Sequence, residues 1–96
     1  MKCTILHETP GRMRVRMAQP RMTLLQADIL EAYLRAVAGV SEVKVYDRTC
    51  DAVIVYSSPR GDVTAALSVF SYDASAQLAP EHSTRARFFS LPRLML

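Results

Sequence analysis

The side chains of this chain that could do chemistry are two cysteines, two histidines and an unusual run of arginines. Cys3 and His7 fall in Cys3-Thr4-Ile5-Leu6-His7-Glu8, a segment whose composition predicts a short strand. Alternation sets both on one face, but four residues along a strand is about 13 Å, too far for one ion to bridge without a bend. Cys50 stands in Asp47-Arg48-Thr49-Cys50-Asp51, where one thiol and two carboxylates would form an exposed set in a turn. A free cysteine in a turn is the commoner explanation. His82 has no ligand partner near it in sequence. Soft ions are held by thiolates brought close together, and neither cysteine has such a neighbour. Two cysteines make no disulfide framework, and they fit a reducing compartment.

Catalytic signatures do not occur. There is no phosphate-binding glycine loop, no dinucleotide fingerprint, no HExxH and no nucleophile elbow. His7-Glu8 is a pair of a kind that is structural far more often than catalytic. No catalytic residue, metal ligand or cofactor is assigned, and the chain is not expected to be an enzyme.

The basic residues point elsewhere. The net charge is +3, and the basic side is ten arginines with only Lys2 and Lys44. Arg12, Arg14 and Arg16 alternate with Met13, Val15 and Met17, and Arg21 lies close behind. A strand of that pattern shows a core one face of Met, Val and Met and shows water three guanidinium groups. Such a face attracts phosphate, carboxylate or an anionic membrane surface weakly, and is in most proteins simply solvated. Arg12, Arg14 and Arg16 are the candidate interaction face.

The elements that must position these residues are legible in order. Thr9-Pro10-Gly11 interrupts the first strand, with Pro and Gly suited to the central positions of a type II turn. Pro20 closes the arginine strand. Residues 22–38 predict a helix, with Leu30, Leu34 and Val37 on one side, Glu31 to Arg35 in favourable i,i+4 order, and Gly39 as the residue after its end. Val40–Tyr46 alternates as a strand and Ala52–Tyr56 is a β-branched strand, the two joined by a turn too short for anything but an antiparallel hairpin. Ser58 is suited to cap a second helix with Pro59 at its first position and Val63, Ala66, Leu67 and Phe70 on its apolar stripe. Ala76-Gln77-Leu78 is a short edge strand, and residues 79–96 are an irregular basic and apolar tail. Ninety-six residues, half of them apolar, suit one small domain with a thin core, here residues 1–78. The expected fold is α+β: a ferredoxin-like β-α-β-β-α-β sandwich, an antiparallel sheet with two helices on one face.

Three segments together resemble the heavy-metal-associated (HMA-like) domain: Leu30-Glu31-Ala32-Tyr33-Leu34-Arg35-Ala36-Val37-Ala38-Gly39-Val40, then Val43-Lys44-Val45, then Val53-Ile54-Val55-Tyr56. Phe70-Ser71-Tyr72 stands where that family closes its second helix near Gly-Tyr. His7-Glu8-Thr9-Pro10-Gly11-Arg12-Met13-Arg14-Val15-Arg16 resembles the branch found at the N-terminus of heavy-metal-translocating P-type ATPases. The resemblance covers residues 3 to 73. Metal-binding members carry Met-x-Cys-x-x-Cys in the loop entering the first helix; here the corresponding positions are Thr23 and Gln26, and neither is a soft ligand. The resemblance therefore implies the fold and a metal-ion transport context, but no metal site.

The function this implies is that of a non-catalytic regulatory or docking domain of a P-type ATPase, or a free-standing relative. Its partner would be a protein, namely the cytosolic domains of a metal-transporting ATPase, met through the arginine face. One alternative is a metal-binding or sensing domain that uses Cys3 or Cys50. Another is a nucleic-acid-binding module with a basic sheet face, although the central strands hold Arg14 and Val53 to Val55 where RNA-recognition domains place stacking aromatics. No nucleic acid is expected as a partner. An unprotected sheet edge would favour a homodimer. No run approaches the roughly 18–20 apolar residues of a membrane span, and no signal peptide is evident, so a cytoplasmic location is expected, with contact to the membrane only through a larger transporter.

Overall fold

The computed structural model describes residues 1–75. Seven elements succeed one another: β1 (Cys3–Thr9), β2 (Arg12–Met17), α1 (Leu24–Arg35), β3 (Val40–Tyr46), β4 (Asp51–Tyr56), α2 (Arg60–Val69) and the short α3 (Tyr72–Ser75). The four strands form one antiparallel sheet in the order β1-β2-β4-β3. The fold is α+β and ferredoxin-like. Its connectivity is β-β-α-β-β-α, because the segments on either side of Pro10-Gly11 form a true hairpin and β1 takes the edge beside β2. The expected strand at Ala76–Leu78, the tail from residue 79 and His82 lie outside the described residues.

Period-two alternation sorts the sheet into two faces. Met13, Val15 and Met17 of β2, Val43 and Val45 of β3, and Ala52, Ile54 and Tyr56 of β4 are all buried in one core. Ala27, Ile29, Leu30 and Leu34 from α1 and Val63 and Leu67 from α2 meet them there, so both helices cover the same face. Tyr33 links the helices, donating its hydroxyl to Ala66 O at 2.7 Å and packing its ring on Phe70 with centroids 4.8 Å apart. The α-ammonium of Met1 reaches the last turn of α2, 2.7 Å from Ser68 O and 3.2 Å from Phe70 O, a cation where the helix dipole favours one.

Several local expectations are corrected. α1 ends at Arg35, so Val37 leaves the helical stripe and Gly39 is not its capping residue. Gly39 instead sits in a turn closed by Val40 N–H to Val37 O at 3.1 Å, with φ of +85°. A side chain there is excluded twice: by that φ, and by Ser58, whose Cβ would lie 2.4 Å from an added Cβ. Ser58 does not cap α2. Pro59 is the capping residue, with extended backbone (φ −57°, ψ 140°) and no side-chain cap bond. The Ser58 hydroxyl is buried against the Gly39 turn, without a hydrogen-bond partner among the described residues. β1 carries a bulge between Ile5 and His7, which leaves Leu6 as an extra residue. β3 has a similar irregularity between Val40 and Glu42.

Candidate functional site

The face of the sheet opposite the helices is built by cross-strand rows. Arg12 lies opposite Val55, which lies opposite Glu42; Arg14, Val53 and Lys44 form the next row; Arg16, Asp51 and Tyr46 form the third. Arg12, Arg14 and Arg16 thus share the open face, as the alternation predicts. They are not equivalent. Asp51, expected in the turn, is the first residue of β4 and points to this same face, where it is completely buried. Arg16 donates from Nε to Asp51 Oδ1 at 2.7 Å, and Arg14 from its terminal nitrogen to Asp51 Oδ2 at 2.9 Å. Two further guanidinium contacts, at 3.1 and 3.2 Å, complete the roof over the carboxylate.

This arrangement fixes the electrostatics. Hydrogen bonds from Arg16 hold the Asp51 carboxyl below its usual range against the opposing cost of burial, with help from Arg14 and Thr49. The same contact raises Arg16 further above its ordinary value. Arg14 also lies 5.3 Å from the centre of the Tyr46 ring, and Lys44 lies 5.8 Å from it. The arginine side chains stay half exposed, 42% for Arg14 and 51% for Arg16, so each retains donors toward solvent. Arg12 has no ion-pair partner among the described residues. Arg12, Glu42, Lys44, Tyr46, Val53 and Val55 line one shallow depression on this face. Tyr46 is its one Tyr, Phe or Trp among the described residues; Tyr56 is buried on the core face.

Metal-ligand expectations change. The β1 bulge breaks the alternation, so Cys3 and His7 do not share a face. Cys3 stands opposite Met17 and packs against the core, whereas His7 stands opposite Arg14 on the open side. Burial pushes the Cys3 thiol up from its ordinary value, only partly offset by the nearby N-terminal charge. Cys50 is not exposed: it is 4% accessible, with φ of +60°, and its Sγ lies 3.9 Å from Asp47 O. Asp51 is engaged by arginines. Among the described residues no three His, Cys, Asp or Glu side chains come together in a way that would hold an ion.

The loop entering α1 is closed on itself. Thr23 is the N-cap: its Oγ1 accepts from Gln26 N–H at 3.0 Å, and Thr23 N–H donates to Gln26 Oε1 at 3.0 Å, a reciprocal capping box. Gln19 extends the network, donating to Arg21 O at 2.6 Å and accepting from the Tyr72 hydroxyl at 2.6 Å. Burial pushes Tyr72 up to about 12 although its bond to Gln19 opposes this. Neither this network nor the role of Asp51 is among the features expected from sequence. The signal for the capping box is Thr-x-x-Gln before an apolar run; the signal for Asp51 is that it shares the phase of Val53 and Val55.

Among the described residues no helix is long and apolar enough to cross a membrane. Set against family models, curated proteins and solved structures, the chain yields no match.

Proposed function

We propose that the chain is a non-catalytic docking domain of the HMA-like type, serving heavy-metal cation transport by protein contact rather than by carrying an ion. The observation that supports this is the loop at Thr23 and Gln26. A loop that carries a soft ion must present thiolates and move to hand the ion on. Here a hydroxyl and an amide occupy those positions, and both are spent on the helix N-terminus. The contact surface is the open sheet face. Arg12 and Lys44 supply charge, Val53 and Val55 supply an apolar strip, and the spare donors of Arg14 and Arg16 are oriented by Asp51. The partner is an acidic surface on the cytosolic domains of a metal-transporting ATPase, so the protein works in the cytoplasm and meets the membrane only through that partner.

Titration of the reduced protein with Cu(I) and Zn(II) against a competing chelator, beside the Cys3→Ser, Cys50→Ser double variant, tests the first half. Equal, weak binding by both proteins is expected; stoichiometric, cysteine-dependent binding overturns it. Binding to isolated cytosolic domains of such a pump tests the second. Affinity that falls with salt and is lost in Arg12→Glu is expected, and no binding at low salt refutes the docking role.

A further inference from the structure

A trough runs along β4 on the open face. Val53 and Val55 form its floor, both half-buried, between the longer side chains of β2 on one bank and of β3 on the other. Val53 is flanked by Arg14 and Lys44, and Val55 by Arg12 and Glu42. The row of Arg16, Asp51 and Tyr46 closes one end, where Arg14 and Arg16 roof the Asp51 carboxylate. The depression over the two valines has a volume of about 260 Å³, room for one leucine-sized side chain. Threonine would satisfy the strand equally well, so it is the choice of valine that makes this floor apolar.

Charge is spread unevenly along the trough. Arg12 and Glu42 cancel across Val55, and Arg16 and Asp51 cancel at the closed end. Across Val53 both banks are cationic. The Arg14 guanidinium lies 5.3 Å and the Lys44 ammonium 5.8 Å from the centre of the Tyr46 ring, so one ring draws two like charges together. Asp51 is already engaged by Arg14 and Arg16, and Lys44 is in no ion pair among the described residues.

We infer, on the docking role proposed above, that this trough takes an extended segment of the protein partner carrying one acidic and one apolar side chain two residues apart. The acid lies between Arg14 and Lys44, and the apolar group lies against Val55. Side chains at i and i+2 of an extended chain point the same way about 6.7 Å apart, which is also the spacing of Val53 and Val55 along β4. The acid takes charge-assisted hydrogen bonds from Lys44 and from the donors that Arg14 does not spend on Asp51. The apolar group removes both itself and Val55 from water, a gain that charge alone does not supply. Glu42 is the filter: it repels a second acid at the apolar position. A uniformly acidic segment is thereby a poorer ligand than one with fewer charges.

Chemical-shift titration of the full chain at low salt tests this, and the same spectra report whether each variant is folded. The probes are short unstructured peptides with the cores Glu-Ser-Leu and Leu-Ser-Glu, set against Glu-Ser-Glu and Ser-Ser-Leu. The better of the first two is expected to bind roughly tenfold tighter than either control, and to shift the signals of Val53, Val55 and Lys44. Lys44→Glu should abolish that binding. Val55→Thr, which keeps the shape of the floor, should remove most of the preference for leucine, and Glu42→Gln should let Glu-Ser-Glu bind better. A wild type that takes Glu-Ser-Glu as tightly as the mixed peptides overturns the inference and leaves docking by charge alone. Binding of the pump domains with no binding of any peptide does the same. Failure of peptides and pump domains alike overturns the docking role with it. Selective binding of a mixed peptide without binding of the pump domains supports the trough and removes the pump as its partner.

Discussion

The two faces of β4 each bury a residue completely, by opposite means. On the helix side, Ile54 is sealed by side chains from both helices and the neighbouring strands. On the open side, Asp51 is sealed by the guanidinium groups of two arginines that remain half in water. The core face spreads its burial over many residues and depends on shape. The open face concentrates it in three residues and depends on charge. That difference leaves the open face accessible around a fixed centre, which suits contact with other molecules better than it suits stability.

Breaking the core side has the largest expected effect. Ile54→Ala removes most of a completely buried side chain from the core, and should cost about 3 kcal/mol in chemical denaturation, independent of salt. Asp51→Asn keeps the shape of the open-face centre but removes its charge, and should cost about 2 kcal/mol, a loss that shrinks as salt screens the arginines. The pH dependence sharpens the contrast. Because the Asp51 carboxyl is held below its ordinary range, its contribution is present above the unfolded aspartate value of about 3.9 and is lost as pH falls through the lower folded value. The stability gap between wild type and Asp51→Asn should therefore be constant near neutrality and close below about pH 4. A gap that widened on acidification would show that the arginines do not govern this carboxylate.

Smaller effects are expected away from both centres. Thr23→Ala opens the capping box and should cost about 1 kcal/mol, with no change in Cu(I) or Zn(II) affinity. Arg12→Ala, on an exposed side chain with no ion-pair partner among the described residues, should leave stability within about 0.5 kcal/mol while weakening any acidic partner. A large stability loss there would mean that Arg12 belongs to the structure and not to the surface.

Much of this organisation is legible in the residues. The alternation in Arg12–Met17 has period two and needs nothing distant to be read, and the same holds for Val40–Tyr46 and for the first helix. What stays hidden depends on pairing between strands far apart in sequence. Asp51 looks like a turn residue until β2 is placed beside β4, which sets it opposite Arg16. Ser58-Pro59 has the form of a cap and a first helical residue, yet the backbone of Pro59 remains extended and the serine turns to the Gly39 turn instead. The one local clue to the β1 bulge is that Ile5 and Leu6 are both apolar, where strict alternation would have made one of them polar.

That bulge makes chain length locally negotiable. Residues on either side of Leu6 keep their partners, Ile5 opposite Val15 and His7 opposite Arg14, and these partners are themselves consecutive. Deleting Leu6 would therefore shorten the protein without reversing any side chain, whereas a deletion within Arg12–Met17 would turn the rest of that strand inside out. The shortened protein would keep its core. Its β1 edge would become straight and regular, and so a better template for pairing with an extended strand of another molecule.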